Sequence, residues 1–232
     1  MTPAGVKPPV LDDVSVVDEL LADIGRTPPT VPPEDGDGGG RPWGEPERSP
    51  LLKNVVLGML AFLWAETMFF AGLVSAFLYL RLGAPVWPPP HQPRLPVEVT
   101  GVNTAILLLS GVTLGRAFRA IRRGSREGLV SGLVQTALLG AIFLGVQGYE
   151  WVRLVNFGLR LSSGVYGATF YTLIGMHALH VLGALVWLTV VVVRSHRGSF
   201  TARAHVPVVA CGMYWYFVIF LWPLLYLLVY LT

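Results

Sequence analysis

LWAETMFFAGLVSAFLYL, residues 63–80, decides how this chain folds. The stretch is apolar without period-2 alternation, and it carries one carboxylate, Glu66. With its flanks it extends an apolar run from about Val55 to Leu80. A run of about 20 apolar residues is enough to cross a bilayer as a helix. In hydrocarbon the backbone must bond within its own segment. A helix does that, whereas an isolated strand cannot, and a barrel would show alternation. An ionised acid at the centre of such a helix costs at least about 2.5–3.5 kcal/mol. Glu66 therefore needs a partner or must stay neutral, and an apolar surrounding favours the neutral form.

Outward from this stretch the pattern repeats. Further runs lie at about 97–118, 129–149, 166–194 and 206–231. Of the 232 residues, 53% are hydrophobic and only 13% charged, against roughly 25% charged in soluble domains. The predicted architecture is all-α and membrane-integral, a five-helix bundle over residues 51–232. The connections are short and rich in Pro, Gly and Arg. The first, RLGAPVWPPPHQPRLP, holds too many prolines to be helical throughout.

Residues 1–50 differ in kind. They hold ten of the chain's 14 acids together with many prolines and glycines, and they read as a largely disordered tail. One piece, SVVDELLADIG, offers Ser15 as an N-cap, Asp18 three residues on, and Val14, Val17, Leu21 and Ile24 at helical spacing. It reads as a frayed solvated turn or as a docking helix for a partner. No signal peptide is visible, because the tail lacks a basic start and an apolar core.

Basic residues orient the bundle. Arg41, Arg48, Lys53, Arg116, Arg119, Arg122, Arg123, Arg126, Arg194, Arg197 and Arg203 fall on one side. Arg81, Arg94, Arg153 and Arg160 fall on the other. The N-terminus is expected in the cytoplasm and the C-terminus outside. The net charge of +3 resides in these loops and gives no nucleic-acid signal. Cys211, the single cysteine, cannot pair within the chain.

Polar groups inside the spans are the informative ones. Glu66 lies in the first. GMHALHVLGALVWL in the fourth places His177 and His180 three residues apart, on one helix face. Counted from opposite membrane surfaces, Glu66 and His177 each lie roughly 16 Å deep at 1.5 Å per residue. They could therefore share a depth, and Glu66 is expected to pair with groups such as His177. Gln147 and Glu150 share a face near the outer end of the third span.

Three readings stand for these groups: an interhelical polar network holding the bundle, a proton path through a titrating carboxyl, and a metal site. Carboxylate-bridged di-metal bundles use Glu-x-x-His pairs on two helices, a pattern missing here. Nor is there an opposed pair of deep histidines for a bis-His haem. No phosphate loop or nucleophile elbow appears. Gly111 and Gly115 in SGVTLG allow close helix approach. The aromatic run MYWYFVIFLWPLLY reads as packing at a core or interface.

Four stretches, in order, resemble subunit III of the heme–copper oxidases. WAETMFFAGLVSAFLYLR is similar to that family's S-E-x-M-F-F segment, and VNTAILLLSGVTL to N-T-x-x-L-L-x-S-G-x-T. LGVQGYEW is similar to Q-x-x-E-Y, and YGATFYTLIGMHALHVLGAL to Y-G-S-T-F-F-x-x-T-G-F-H-G-L-H-V. The resemblance covers about residues 55–232, and the positions matching the motifs are Glu66, Asn103, Thr104, Gln147, Glu150, His177 and His180.

It implies the five-helix form typical of bacteria, in the inner membrane, as an accessory subunit beside subunits I and II. No catalytic residue, haem or copper is expected in this chain; those centres belong to the partner subunits. It implies support of proton uptake and bound phospholipid in a cleft, with the first two helices facing the other three. Arg81 and Arg153 are the candidate headgroup contacts. In the last span the family usually reads W-Y-W-H-F-V-D-V-V-W. Here MYWYFVIFLW puts Tyr216 where His is expected and Ile219 where Asp is expected. That departure makes a relative associated with nitric oxide reductase an alternative. A small membrane transporter or proton carrier is the alternative from another class.

Overall fold

The computed structural model describes residues 50–90, 95–200 and 205–231, with side chains from residue 54 onward. The candidate helix near Ser15 and the tail expected to be disordered lie outside these residues. Five long helices follow one another: α1 (Pro50–Leu82), α2 (Val97–Arg122), α3 (Arg126–Asn156), α4 (Val165–His196) and α5 (Val206–Tyr226). Each is long and apolar enough to cross a membrane. Most extend beyond the apolar runs, because the backbone ladder continues through the polar residues at their ends. At the end of α2, Gly124 takes φ +74°. Its N–H bonds to the Ile121 carbonyl and that of Ser125 to Ala120, closing the last turn. The Ser125 hydroxyl then accepts the Gly128 N–H and starts α3. Gly198 closes α4 in the same way, through Ser195 and Arg194.

This tight turn forces α2 and α3 to lie antiparallel, and they form the most extensive pairing in the bundle. Small residues bring their axes together: a Cβ on Gly132 would lie 2.8 Å from that of Ala117, and one on Gly128 the same distance from that of Ala120. Helix α5 packs against α4, α1 and α2, so it occupies the middle of the bundle. It contains Pro223, which lacks an N–H. Its last turn widens to a π-helix over Leu227–Leu231.

The expected partition, with α1 and α2 together against the rest, is not the one that forms. Helix α1 packs on α5 and more lightly on α4, with no extensive contact to α2. The physical reason is the connection. The α1–α2 segment is long and proline-rich and imposes no adjacency, whereas the short α2–α3 turn does. Trp87 in the first connection packs edge-on against Phe77 of α1 and Tyr166 of α4, at ring separations of 5.9 and 5.1 Å.

Gly111 and Gly115 do admit a neighbour closely, and that neighbour is α5. Ile219 Cδ1 and the Tyr216 ring stand over Gly111, and Tyr216 Oη stands beside Gly115. The other buried glycine of note is Gly140 on α3, which lies directly beneath the indole of Trp215.

Candidate functional site

Glu66 projects from α1 towards α4, where its Oε2 lies 2.9 Å from His180 Nε2. His180 Nδ1 lies 2.7 Å from the Met176 carbonyl. A carbonyl only accepts, so Nδ1 must carry a proton. The Nε2–Oε2 contact then holds one further proton, on either atom. The pair is a neutral imidazole with a carboxylic acid, or an imidazolium with a carboxylate. Its net charge is zero in both forms, which is how the chain places an acid in an apolar run. Phe69 stacks on the His180 ring at 6.1 Å and Phe70 meets it edge-on at 5.0 Å, shielding the contact. The side chains are still 13% and 20% exposed for His180 and Glu66, so the pair sits at the rim of the bundle.

His177 does not meet Glu66, which corrects the expected pairing. Three residues along a helix rotate the side chain by about 60°. That rotation turns His177 into the core while His180 faces α1. His177 is fully buried, stacked on Trp222 at 4.9 Å, with Phe70 edge-on at 6.5 Å.

The remaining motif residues form separate contacts. Asn103 Nδ2 donates to the Phe143 carbonyl of α3 at 3.0 Å. Thr104 Oγ1 donates to the Thr100 carbonyl and accepts the Trp222 indole N–H at 2.8 Å. Gln147 Nε2 donates to Tyr230 Oη at 3.0 Å, joining α3 to the end of the chain. Glu150 is buried and takes Arg153 Nη1 at 3.1 Å. The Arg153 guanidinium also lies over the Tyr149 and Phe157 rings, at 5.9 and 6.0 Å. Arg81 Nη1 donates to the Leu228 carbonyl within the π-turn at 3.1 Å, so it holds the last turn of the chain against α1.

The sequence reading missed the bonding ladder between α2 and α5. Trp215 Nε1 donates to Ser110 Oγ at 3.1 Å, Tyr216 Oη to the Gly111 carbonyl at 3.0 Å, Trp222 Nε1 to Thr104, and Tyr226 Oη to the Val97 carbonyl at 3.0 Å. From Trp215 and Tyr216 through Trp222 to Tyr226 the partners run back from Ser110 and Gly111 through Thr104 to Val97, as an antiparallel pair requires. The available signal was that a buried Trp or Tyr seeks an acceptor. Tyr216 thus makes a cross-helix bond at the position where the resemblance led one to expect His, and Ile219 is buried as an apolar filler. A second missed seam joins α2 to α3: Thr113 and Thr136 hydroxyls lie 2.8 Å apart, each with a main-chain carbonyl in reach.

Among the described residues no three His, Cys, Asp or Glu side chains converge as metal ligands would. The arrangement can tie helices together, and it can move one proton between His180 and Glu66.

Comparison with known proteins adds to this geometry. A family model described as cytochrome c oxidase subunit III matches residues 47–232. The cytochrome c oxidase subunit 3 of Synechocystis sp. is 37% identical over 177 residues, covering 76% of this chain and 75% of that one. The protein of the same description from Gadus morhua is 37% identical over 188 residues, covering 78% and 70% respectively.

Proposed function

This chain belongs to the cytochrome c oxidase subunit III family, and from that premise we propose that it is the accessory subunit of a respiratory heme–copper oxidase. It is a multi-pass membrane protein and part of an oxidase complex. In the reading proposed, oxygen is reduced at haem and copper held by subunits I and II. This chain stabilises subunit I during turnover and supports proton uptake. Its N-terminus lies in the cytoplasm of a bacterium and its C-terminus outside, following the basic bias of the loops.

The observation that carries the supporting role is the Glu66–His180 contact. It joins the weakly packed α1 to α4 and leaves neither polar group bare in the membrane. Helix α1 otherwise presents Leu57, Leu60, Trp64 and Met68 outward, a surface suited to a neighbouring subunit or to lipid.

The reading includes bound phospholipid. Two grooves flank α1. One, of about 740 Å³, runs between α1 and α5 and is lined by Leu63, Met213, Phe217 and Phe220. The other lies between α1 and α4, beside Leu73, Phe77, Ala168 and Leu173. Both suit acyl chains. Arg153, whose side chain is 46% exposed, is placed to share its charge with a phosphate as well as with Glu150.

Purification in mild detergent tests the proposal. An accessory subunit elutes with haem-bearing chains whose visible spectrum shows oxidase haems, and mass spectrometry of the intact complex counts retained lipid. Elution of this chain free of haem-bearing partners would reject the proposal. An intact complex with no retained lipid would reject the lipid part alone.

A further inference from the structure

Several buried side chains have hydrogen-bonding atoms that no group among the described residues meets, and two of them, His177 and Asn103, lie deep in the core. His177 is fully buried, and neither Nδ1 nor Nε2 has a partner among the described residues. Asn103 is 1% exposed, and its Oδ1 is likewise unmet while its Nδ2 is engaged by Phe143. A buried polar group without a partner is destabilising, and such groups in native proteins are met by ordered water.

The two sites belong to one neighbourhood. Asn103 is bonded to the main chain of Phe143. The Phe143 ring meets Trp222 edge-on at 5.1 Å, and Trp222 stacks on His177. Tyr230, bonded to Gln147, lies 6.4 Å from the same Trp222 ring. So α2, α3, α4 and the end of α5 converge here. Whichever ring nitrogen of His177 carries the proton, one nitrogen donates and the other accepts, and they point to different sides of the ring. One water cannot serve both.

We infer that His177 and Asn103 form an internal hydration site, holding at least two water molecules among α2, α3, α4 and α5. Water donates to Asn103 Oδ1 and to the unprotonated nitrogen of His177, and accepts from the protonated one. The surface groove between α3 and α4 offers a way in. It is lined by Leu144, Gln147, Gly148, Gly175 and Ala178, and it reaches the cluster at Gln147. Phe70, edge-on to both histidines, separates this wet pocket from the Glu66–His180 pair. The site is a property of this chain's own bundle and stands independently of the accessory role.

The test uses the intact complex in lipid, with histidine labelled by nitrogen-15. Magnetisation transferred from water protons to the ring nitrogens is recorded, and His177→Phe identifies the signal of residue 177 by its loss. The expected result is clear transfer to His177, falling by about twofold or more in Asn103→Leu as one anchor of the water is removed. A density map that resolves water elsewhere in the bundle should show it within hydrogen-bonding distance of His177 and Asn103. No transfer to a His177 signal that is otherwise visible would overturn the inference. So would a map in which a group from another chain or a lipid meets the ring.

Discussion

Glu66 Oε2 and His180 Nε2 stand 2.9 Å apart, and the Met176 carbonyl holds the opposite nitrogen of the same ring at 2.7 Å. The carbonyl holds the proton on Nδ1, so α4 presents Nε2 to α1. Glu66→Ala and His180→Ala should each shorten the life of the complex during turnover, at a cost of about 1–3 kcal/mol. The double variant should cost less than the two together, because each single change strands the other partner. Glu66→Gln, whose amide can donate to Nε2, should be milder than Glu66→Ala. Oxygen uptake followed from the first seconds to inactivation measures this. Initial rates are expected to survive; immediate loss with subunit content unchanged would place Glu66 in an obligatory proton route instead.

Gly140→Ala should loosen the bundle by about 1–3 kcal/mol, the usual cost of overpacking. The added methyl would run into the Trp215 indole, which is pinned by Ser110 and has no room to retreat. Gly145→Ala on the same helix meets nothing within 4 Å and serves as the control. Retention of the subunit against temperature should fall for the first and hold or rise for the second.

Tyr216→Phe removes the bond to the Gly111 carbonyl and should cost about 0.6 kcal/mol, the average for interhelical bonds in membranes. Trp222→Phe should cost more. It breaks the bond to Thr104 and also thins the stack on His177. Detergent titration of subunit release ranks the two, and the reverse order would contradict the ladder.

Single cysteines report the orientation. Cys211 is 2% exposed and should resist labelling, and Cys211→Ser removes it altogether. Cysteine placed at Arg122 should then label from the cytoplasm, and at Ser162 from outside. Labelling of position 122 from outside would invert the topology.

The five spans were legible because continuous apolar runs leave a membrane chain no other structure. Their true ends were less so: α2 runs on to Arg122 and α3 starts at Arg126, through polar residues that hydropathy excludes, with the turn at Gly124 and Ser125 between them. The acid's partner was misjudged for a related reason. Counting residues gives depth within a turn, but His177 and His180 differ by rotation, and only the packing of α5 decides which one faces α1. The α2–α5 ladder stayed hidden because Trp and Tyr read equally well as greasy packing. Their donors become informative only once Ser110 and Thr104 are seen opposite them.

The Glu66–His180 pair is nearly blind to a voltage across the membrane. A full charge crossing the membrane gains about 2.3 kcal/mol per 100 mV. The proton between these two atoms moves roughly 1 Å within a hydrocarbon span of about 30 Å. The voltage can therefore bias its position by only about 0.1 kcal/mol per 100 mV. The pair neither adds net charge to the low-dielectric layer nor moves charge along it. The contact that fastens α1 should hold equally well in a resting membrane and in a fully energised one.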